Sequence, residues 1–297
     1  MTVPSGARYQ VGTVHFTVLN DGVFYSDAGA VFGIIPRVLW ERVSGPLDER
    51  YRIPLALNCL LLRSEGKTIL IETGIGGKPG DRDAASPAAD GTLMDALAAA
   101  GVRPEEVDVV INSHLHSDHC GWNTVVDERA PQDAPLERRV KLGFPNATYY
   151  VGAAEWRDAT HPNERTRGTY FERNLTPVAD HLMLVDGELD ITGEVKFVPA
   201  PGHTEGHGTV LIHSGRESAI YVGDLAQHRV QLERTVWVSS FDLLPLLSME
   251  TKKQLVDRAI EQRSLLIMTH SPYPGVLRPT RNERGFRELL DVSPLEA

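Results

Sequence analysis

Residues 111–123 read INSHLHSDHCGWN and place His114, His116, Asp118 and His119 within six positions, in a chain of 297 residues with 11 histidines. An imidazole or carboxylate offers a lone pair to a borderline divalent metal. His114 and His116 are two apart, so an extended or looped chain points them the same way, whereas a helix would splay them. Asp118 and His119, where the chain turns at Gly121, can face a second metal. Three further candidates end apolar runs: His203 in PAPGHTEGH, Asp224 in YVGDLAQ and His270 in LLIMTHSPY. One such residue would be an ordinary strand-end polar group. Three, beside the cluster, favour one shared site.

Two metals about 3.5–4 Å apart can share a hydroxide and clamp both sides of a displacement. That hydroxide would attack a carbonyl or phosphoryl centre while one metal polarises the electrophile's oxygen. Asp118 could orient it and take its proton.

The surrounding sequence must supply strands that end at these residues. TVHFTVLNDG puts Val14, Phe16 and Val18 on one face and suggests a turn at Asp21–Gly22. LALNCLLLRSEGKTILIETG reads as two buried strands joined at Glu65–Gly66. Thr92 and Asp95 form a capping pattern for a short helix ending near Gly101. VDVVINS, EVKFVPAPGH, GTVLIHS, SAIYVGD and SLLIMTH are short strands, and 249–262 reads as a helix. Stretches 76–91 and 127–139 are surface insertions. Strands with helices between them imply packed sheets flanked by helices.

Composition narrows the function. With 297 residues, 41% of them hydrophobic, the chain can build one large domain or two small ones. A formal charge of −10 repels phosphate backbones, so nucleic acid is not expected as a partner. No apolar run reaches the roughly 20 residues of a membrane span, and no secretory signal is visible at the start. We expect a cytoplasmic enzyme acting on a small molecule. Cys59 and Cys120 are too few for a disulfide framework. Cys120 reads as a small buried residue.

The motifs ILIETG (69–74), SHLHSDH (113–119), PGHTEGH (201–207), GD (223–224) and TH (269–270) resemble, in order, those of the metallo-β-lactamase superfamily. That resemblance implies an αββα sandwich, an α/β fold of two facing mixed sheets with helices outside, here as a single domain over 1–297. It implies that His114, His116 and His203 hold one metal and that Asp118, His119 and His270 hold the other, with Asp224 bridging. Two divalent metals per chain are expected, zinc by default, with manganese, iron or cobalt also compatible.

NDGVFYSDAGAVFG, IPLALNCLLLR and THSPYPGVLRP are similar to the methyl parathion hydrolase and N-acyl-homoserine lactonase branch, which implies esters, lactones or organophosphates as substrates. Three other readings stay open: a glyoxalase II-like thioesterase, a mononuclear iron dioxygenase and a non-catalytic metal scaffold. Several lactonases carry Tyr shortly after the bridging Asp. Here Gln227 and His228 stand there, and His228 is a candidate catalytic substitute. Glu72 stands where the family has Asp, as a carboxylate behind a metal-bound imidazole. Phe24, Tyr25, Phe32, Trp122 and Tyr273 are candidate pocket residues. The apolar segment 23–46 could form the pocket rim or the contact of a homodimer. His207 reads as structural.

Overall fold

The computed structural model describes residues 6–81 and 92–296. Residues 82–91 of the predicted insertion 76–91 therefore lie outside the described residues. Two seven-stranded sheets face each other. The first runs, in spatial order, through Ala7–Val11, Val14–Asp27, Arg52–Ser64, Lys67–Ile71, Val109–Ile111, Thr148–Gly152 and Leu182–Val185. Its first four strands pair antiparallel and its last four parallel. The second contains Leu189–Thr192, Val195–Pro199, Gly208–Ser214, Glu217–Tyr221, Leu265–Ile267, Val276–Arg281 and Arg287–Asp291. Only Glu217–Tyr221 and Leu265–Ile267 are parallel there. Both sheets are mixed.

Alternation explains the layers. Phe16, Leu60, Leu62, Ile69 and Ile71 point into the gap between sheets and meet Phe197, Val210, Ile212 and Tyr221. Their neighbours Leu61, Leu70 and Val110 point the other way and pack with helix Leu93–Ala99. These strands are buried on both faces, which is why they read as unbroken apolar runs. Helix Pro245–Gln262 covers the second sheet through Val256 and Ala259. Each fully buried Leu, Ile or Phe contributes about 1.5–3 kcal/mol relative to exposure.

The hairpin at Glu65–Gly66 forms as expected, with both residues at positive φ (50° and 78°). The Thr92–Asp95 capping box is also present. The turn expected at Asp21–Gly22 is not. Val14–Asp27 continues as one strand, and its register shifts between Asn20 and Val23. Gly22, at φ 91°, absorbs the irregularity. The bulge aims the buried Asp21 carboxylate at Ile75 N, Leu93 N and Trp122 Nε1 (2.9, 2.7 and 2.8 Å). An Asp–Gly pair that looked like a turn thus ties down the segment after Gly74. The helix expected over 249–262 begins earlier, with Pro245 at its first position. The insertion 127–139 closes a two-stranded ribbon, Thr124–Val126 with Val140–Leu142.

Candidate metal centre

The seven candidate ligands converge at one edge of the sandwich, just beyond the carboxyl ends of strands from both sheets. Val109–Ile111 leads to His114, His116, Asp118 and His119; Val195–Pro199 leads to His203; Glu217–Tyr221 leads to Asp224; Leu265–Ile267 leads to His270. All but Asp118 are buried. The donor atoms of His114, His116 and His203 lie within 4.8 Å of one another, as do those of Asp118, His119 and His270. Asp224 stands between the groups. Its Oδ1 is 2.9 Å from His270 Nε2 and 3.2 Å from His119 Nε2, and its Oδ2 is 3.6 Å from His203 Nε2.

The opposite nitrogen of several rings is anchored outside the centre. His270 Nδ1 donates to Ala56 O (2.8 Å), His203 Nδ1 to Asp242 Oδ1 (3.1 Å), and His114 Nδ1 meets Ser113 Oγ (3.0 Å). This fixes the tautomer and leaves Nε2 with a free lone pair directed inward. Inside, His203 Nε2 faces His116 Nδ1 at 3.1 Å, and His270 Nε2 faces His119 Nε2 at 3.3 Å. Two imidazole lone pairs that close need a shared proton or a cation between them. His114 Nε2 and Asp224 Oδ1 are buried with no hydrogen bond of acceptable geometry. Buried polar atoms left in that state are costly. The donor set therefore fits divalent cations.

The electrostatics agree. Burial, with help from neighbouring imidazoles, holds His114 and His116 well below the usual imidazole range. For His119 burial acts downward but is outweighed by Asp224, Asp118 and Glu72, which lift it well above that range. Burial is likewise outweighed for His203, by its hydrogen bond to Asp242, and for His270, by Asp224. Asp224 resists burial because His270 and His119 hold it well below the carboxylate range. Protons thus compete for the places a cation would take, and metal affinity must weaken in acid.

Other side chains set the frame. Glu72 is fully buried at φ 63°, accepts from Ser113 N at 3.0 Å, and stands 3.6 Å from His119 Nδ1. It sits behind His119, where the expected carboxylate belongs. His207 accepts the Asp224 N–H at Nε2 (3.0 Å) while its Nδ1 donates to Ala200 O (3.1 Å), so it positions the Asp224 backbone. Burial and then His203 keep it neutral, pulled down to about 3. Gln227 Nε2 donates to Asp224 Oδ2 at 3.0 Å.

Glu155 and Asp242 had no motif to betray them. Glu155 Oε1 accepts from Leu115 N and Tyr170 Oη, both at 2.9 Å, and Oε2 accepts from Thr204 Oγ1 at 2.5 Å. It lashes the His114–His116 loop to the His203 loop. Asp242 orients His203 and accepts from Ser248 Oγ (2.7 Å). Lys252 is buried on the same helix as Ser248 and donates to Trp237 O at 2.7 Å. Burial pulls its ammonium down to about 8, against the pull of Asp242. From about pH 8 up to the ordinary lysine value, the unfolded chain therefore holds a proton that the fold has released, and stability rises with pH. Lys252→Met is expected to abolish that rise, worth about 3 kcal/mol, in urea unfolding compared at pH 7 and pH 10.

A cavity of about 550 Å³ opens over the centre. His116, Asp118, His203, Asp224 and His270 form its floor, with Gln227 beside them; Phe24, Leu55, Ile75 and Leu243 give it apolar walls. Of the five expected pocket residues only Phe24 lines it, with its ring edge-on to His270 (centroids 5.4 Å). Strand alternation turns Phe24 and Ser26 inward and Tyr25 out, under Arg52. Phe32 is buried in core against Trp40 and Trp237. Trp122 spends its N–H on Asp21, and Tyr273 reaches Val18 O (3.3 Å). His228 is edge-on to Phe32 and lines a separate cavity. Burial, with Arg229 adding to it, holds its imidazole down at about 4. Cys120 is buried, as expected. Segment 23–46 divides three ways: Phe24 and Ser26 in the wall, Ala28, Val31 and Phe32 in core, Ile34 exposed. Among the described residues no helix is long and apolar enough to cross a membrane.

A family model described as the metallo-beta-lactamase superfamily matches residues 52–270. An N-acyl homoserine lactonase from a Bacillus species is 22% identical over 241 residues, covering 77% of this chain and 86% of the relative. A dizinc quorum-quenching lactonase, solved in complex with a product, superposes with a TM-score of 0.80 at 22% identity over the full length of both chains. A hydrolase of the beta lactamase superfamily gives 0.80 at 21% identity, also over both full lengths.

Proposed function

The chain belongs to the metallo-beta-lactamase superfamily, and from that premise we propose that it is a dinuclear metal-dependent hydrolase of small lactones or esters with an apolar acyl part. One observation carries the reading: two triads of inward donors, each with an imidazole within reach of Asp224, beneath a cavity with apolar walls. His114, His116 and His203 would hold one ion, and Asp118, His119 and His270 the other, with Asp224 shared. When bound, such a divalent pair, zinc by preference, supplies Lewis acidity and makes water acidic enough to attack near neutral pH.

The chain's own residues do the rest. Asp118 is the one candidate ligand with appreciable solvent contact, its side chain 20% exposed, so it can orient the attacking water and pass its proton outward. Phe24, Leu55 and Leu243 bind the acyl portion and thin the water around the scissile bond. Gln227, which holds Asp224, leaves no phenol at its position. The lactonase names of similar proteins support the substrate class.

The test is turnover of acyl-homoserine lactones, p-nitrophenyl esters and an organophosphate triester by protein of measured metal content. We expect about two divalent metals per chain, turnover of a lactone or ester, and loss of activity on chelation that zinc restores. Metal-free protein with full activity, or a single iron per chain, would overturn the proposal.

A further inference from the structure

We propose that an apolar groove beside the cavity is a subsite for the aliphatic tail of the substrate, and that Arg165 forms the partition between tail and reacting centre. The proposal rests on the hydrolase reading above and names where its substrate extends. The groove has a volume of about 400 Å³ and is walled by Ile34, Val236, Val238, Leu246 and Met249. Ile34 is 83% exposed, Leu246 76% and Val236 62%. Single exposed apolar side chains are ordinary, but several gathered in one concavity mark a binding surface.

Continuity identifies the occupant. Arg165 and Ser240 line both the groove and the cavity over the metal centre. The Arg165 guanidinium donates to Ser240 O at 2.6 Å and so closes the gap between them. This is one exposed hydrogen bond, which costs little to exchange for water. The arginine stem can then lie along an apolar chain while its head stays solvated. On the cavity side of Ser240, Leu243 continues the apolar wall. A molecule with its carbonyl at the metals and an unbranched tail longer than the cavity has a ready apolar path into the groove. The groove's polar members are engaged elsewhere, since Asp242 is bonded to His203 and Ser248. They offer little to a polar tail.

The experiment is calorimetric titration of the zinc-loaded protein with n-alkanoates from butanoate to dodecanoate, the acids an ester would release. Affinity is expected to rise about fourfold per added CH₂ once the tail passes Arg165. Val236→Asp and Leu246→Asp, both at exposed positions, should flatten that rise and leave butanoate binding unchanged. Arg165→Ala should start the rise at shorter chains. A flat series in the wild type, or an unchanged slope in both Asp variants, would overturn the subsite. So would light scattering that shows a dimer dispersed by the Asp variants while the slope persists, since a second copy would then cover the groove. A normal slope without turnover of any lactone or ester would support the subsite and count against the hydrolase reading.

Discussion

Replacing Asp224 by Ala is expected to remove one or both metals from the protein and to lower lactone or ester turnover by about 10³-fold or more. Asp224 is within reach of both donor triads: Oδ1 faces His270 and His119, and Oδ2 faces His203. Its backbone is held by His207 and its side chain by Gln227, so the carboxylate cannot swing away. Without it, the facing imidazoles of His119 and His270 lose the carboxylate nearest to both of them. Loss of a two-metal clamp removes several kcal/mol of stabilisation from developing charge, and about 4 kcal/mol is a thousandfold in rate. Elemental analysis and steady-state kinetics on Asp224→Ala and Asp224→Asn check this. Metal content equal to wild type in both variants would mean that Asp224 is not shared.

The second large effect falls on a residue outside the ligand set. Glu155→Ala should lower stability by about 3 kcal/mol and weaken metal binding by roughly 10–100-fold. Its carboxylate accepts from Leu115 N, Tyr170 Oη and Thr204 Oγ1, and the alanine leaves three buried donors bare. Leu115 lies between His114 and His116, Thr204 follows His203, and the Tyr170 ring packs on His116 with centroids 5.1 Å apart. Three of the candidate ligands are therefore positioned by one side chain. Glu155→Gln retains one acceptor oxygen but turns an NH₂ towards donors, so it should fall between wild type and Ala. Urea unfolding of metal-free protein gives the stability change, and competition with a chelator gives the affinity. Unchanged chelator competition in Glu155→Ala would show that the loops hold their shape without it.

The cluster of candidate ligands was legible because metal chemistry demands few residue types at tight spacing. His114, His116, Asp118 and His119 announce themselves, and His203, Asp224 and His270 each interrupt an apolar strand at its end. The αββα architecture was legible in part because the inner strands are apolar throughout, as strands covered on both faces must be. The surroundings were not legible. Glu155 sits in a helix sequence, AAEWRDAT, that reads as solvent-facing, and only the close approach of the His203 loop buries it. Asp21–Gly22 has the composition of a turn, and only the pairing of a longer strand on both sides makes it a bulge. Phe24 and Tyr25 are equivalent in one dimension; the direction of the pleat decides which meets His270. Arg165 lies in a polar loop far in sequence from Ser240, and their contact exists only once both loops lie over one sheet edge. Which residues can act as ligands is local chemistry, which the sequence by itself determines. Orientation, burial and the shape of the cavity are sums over distant segments, and those only the tertiary structure decides.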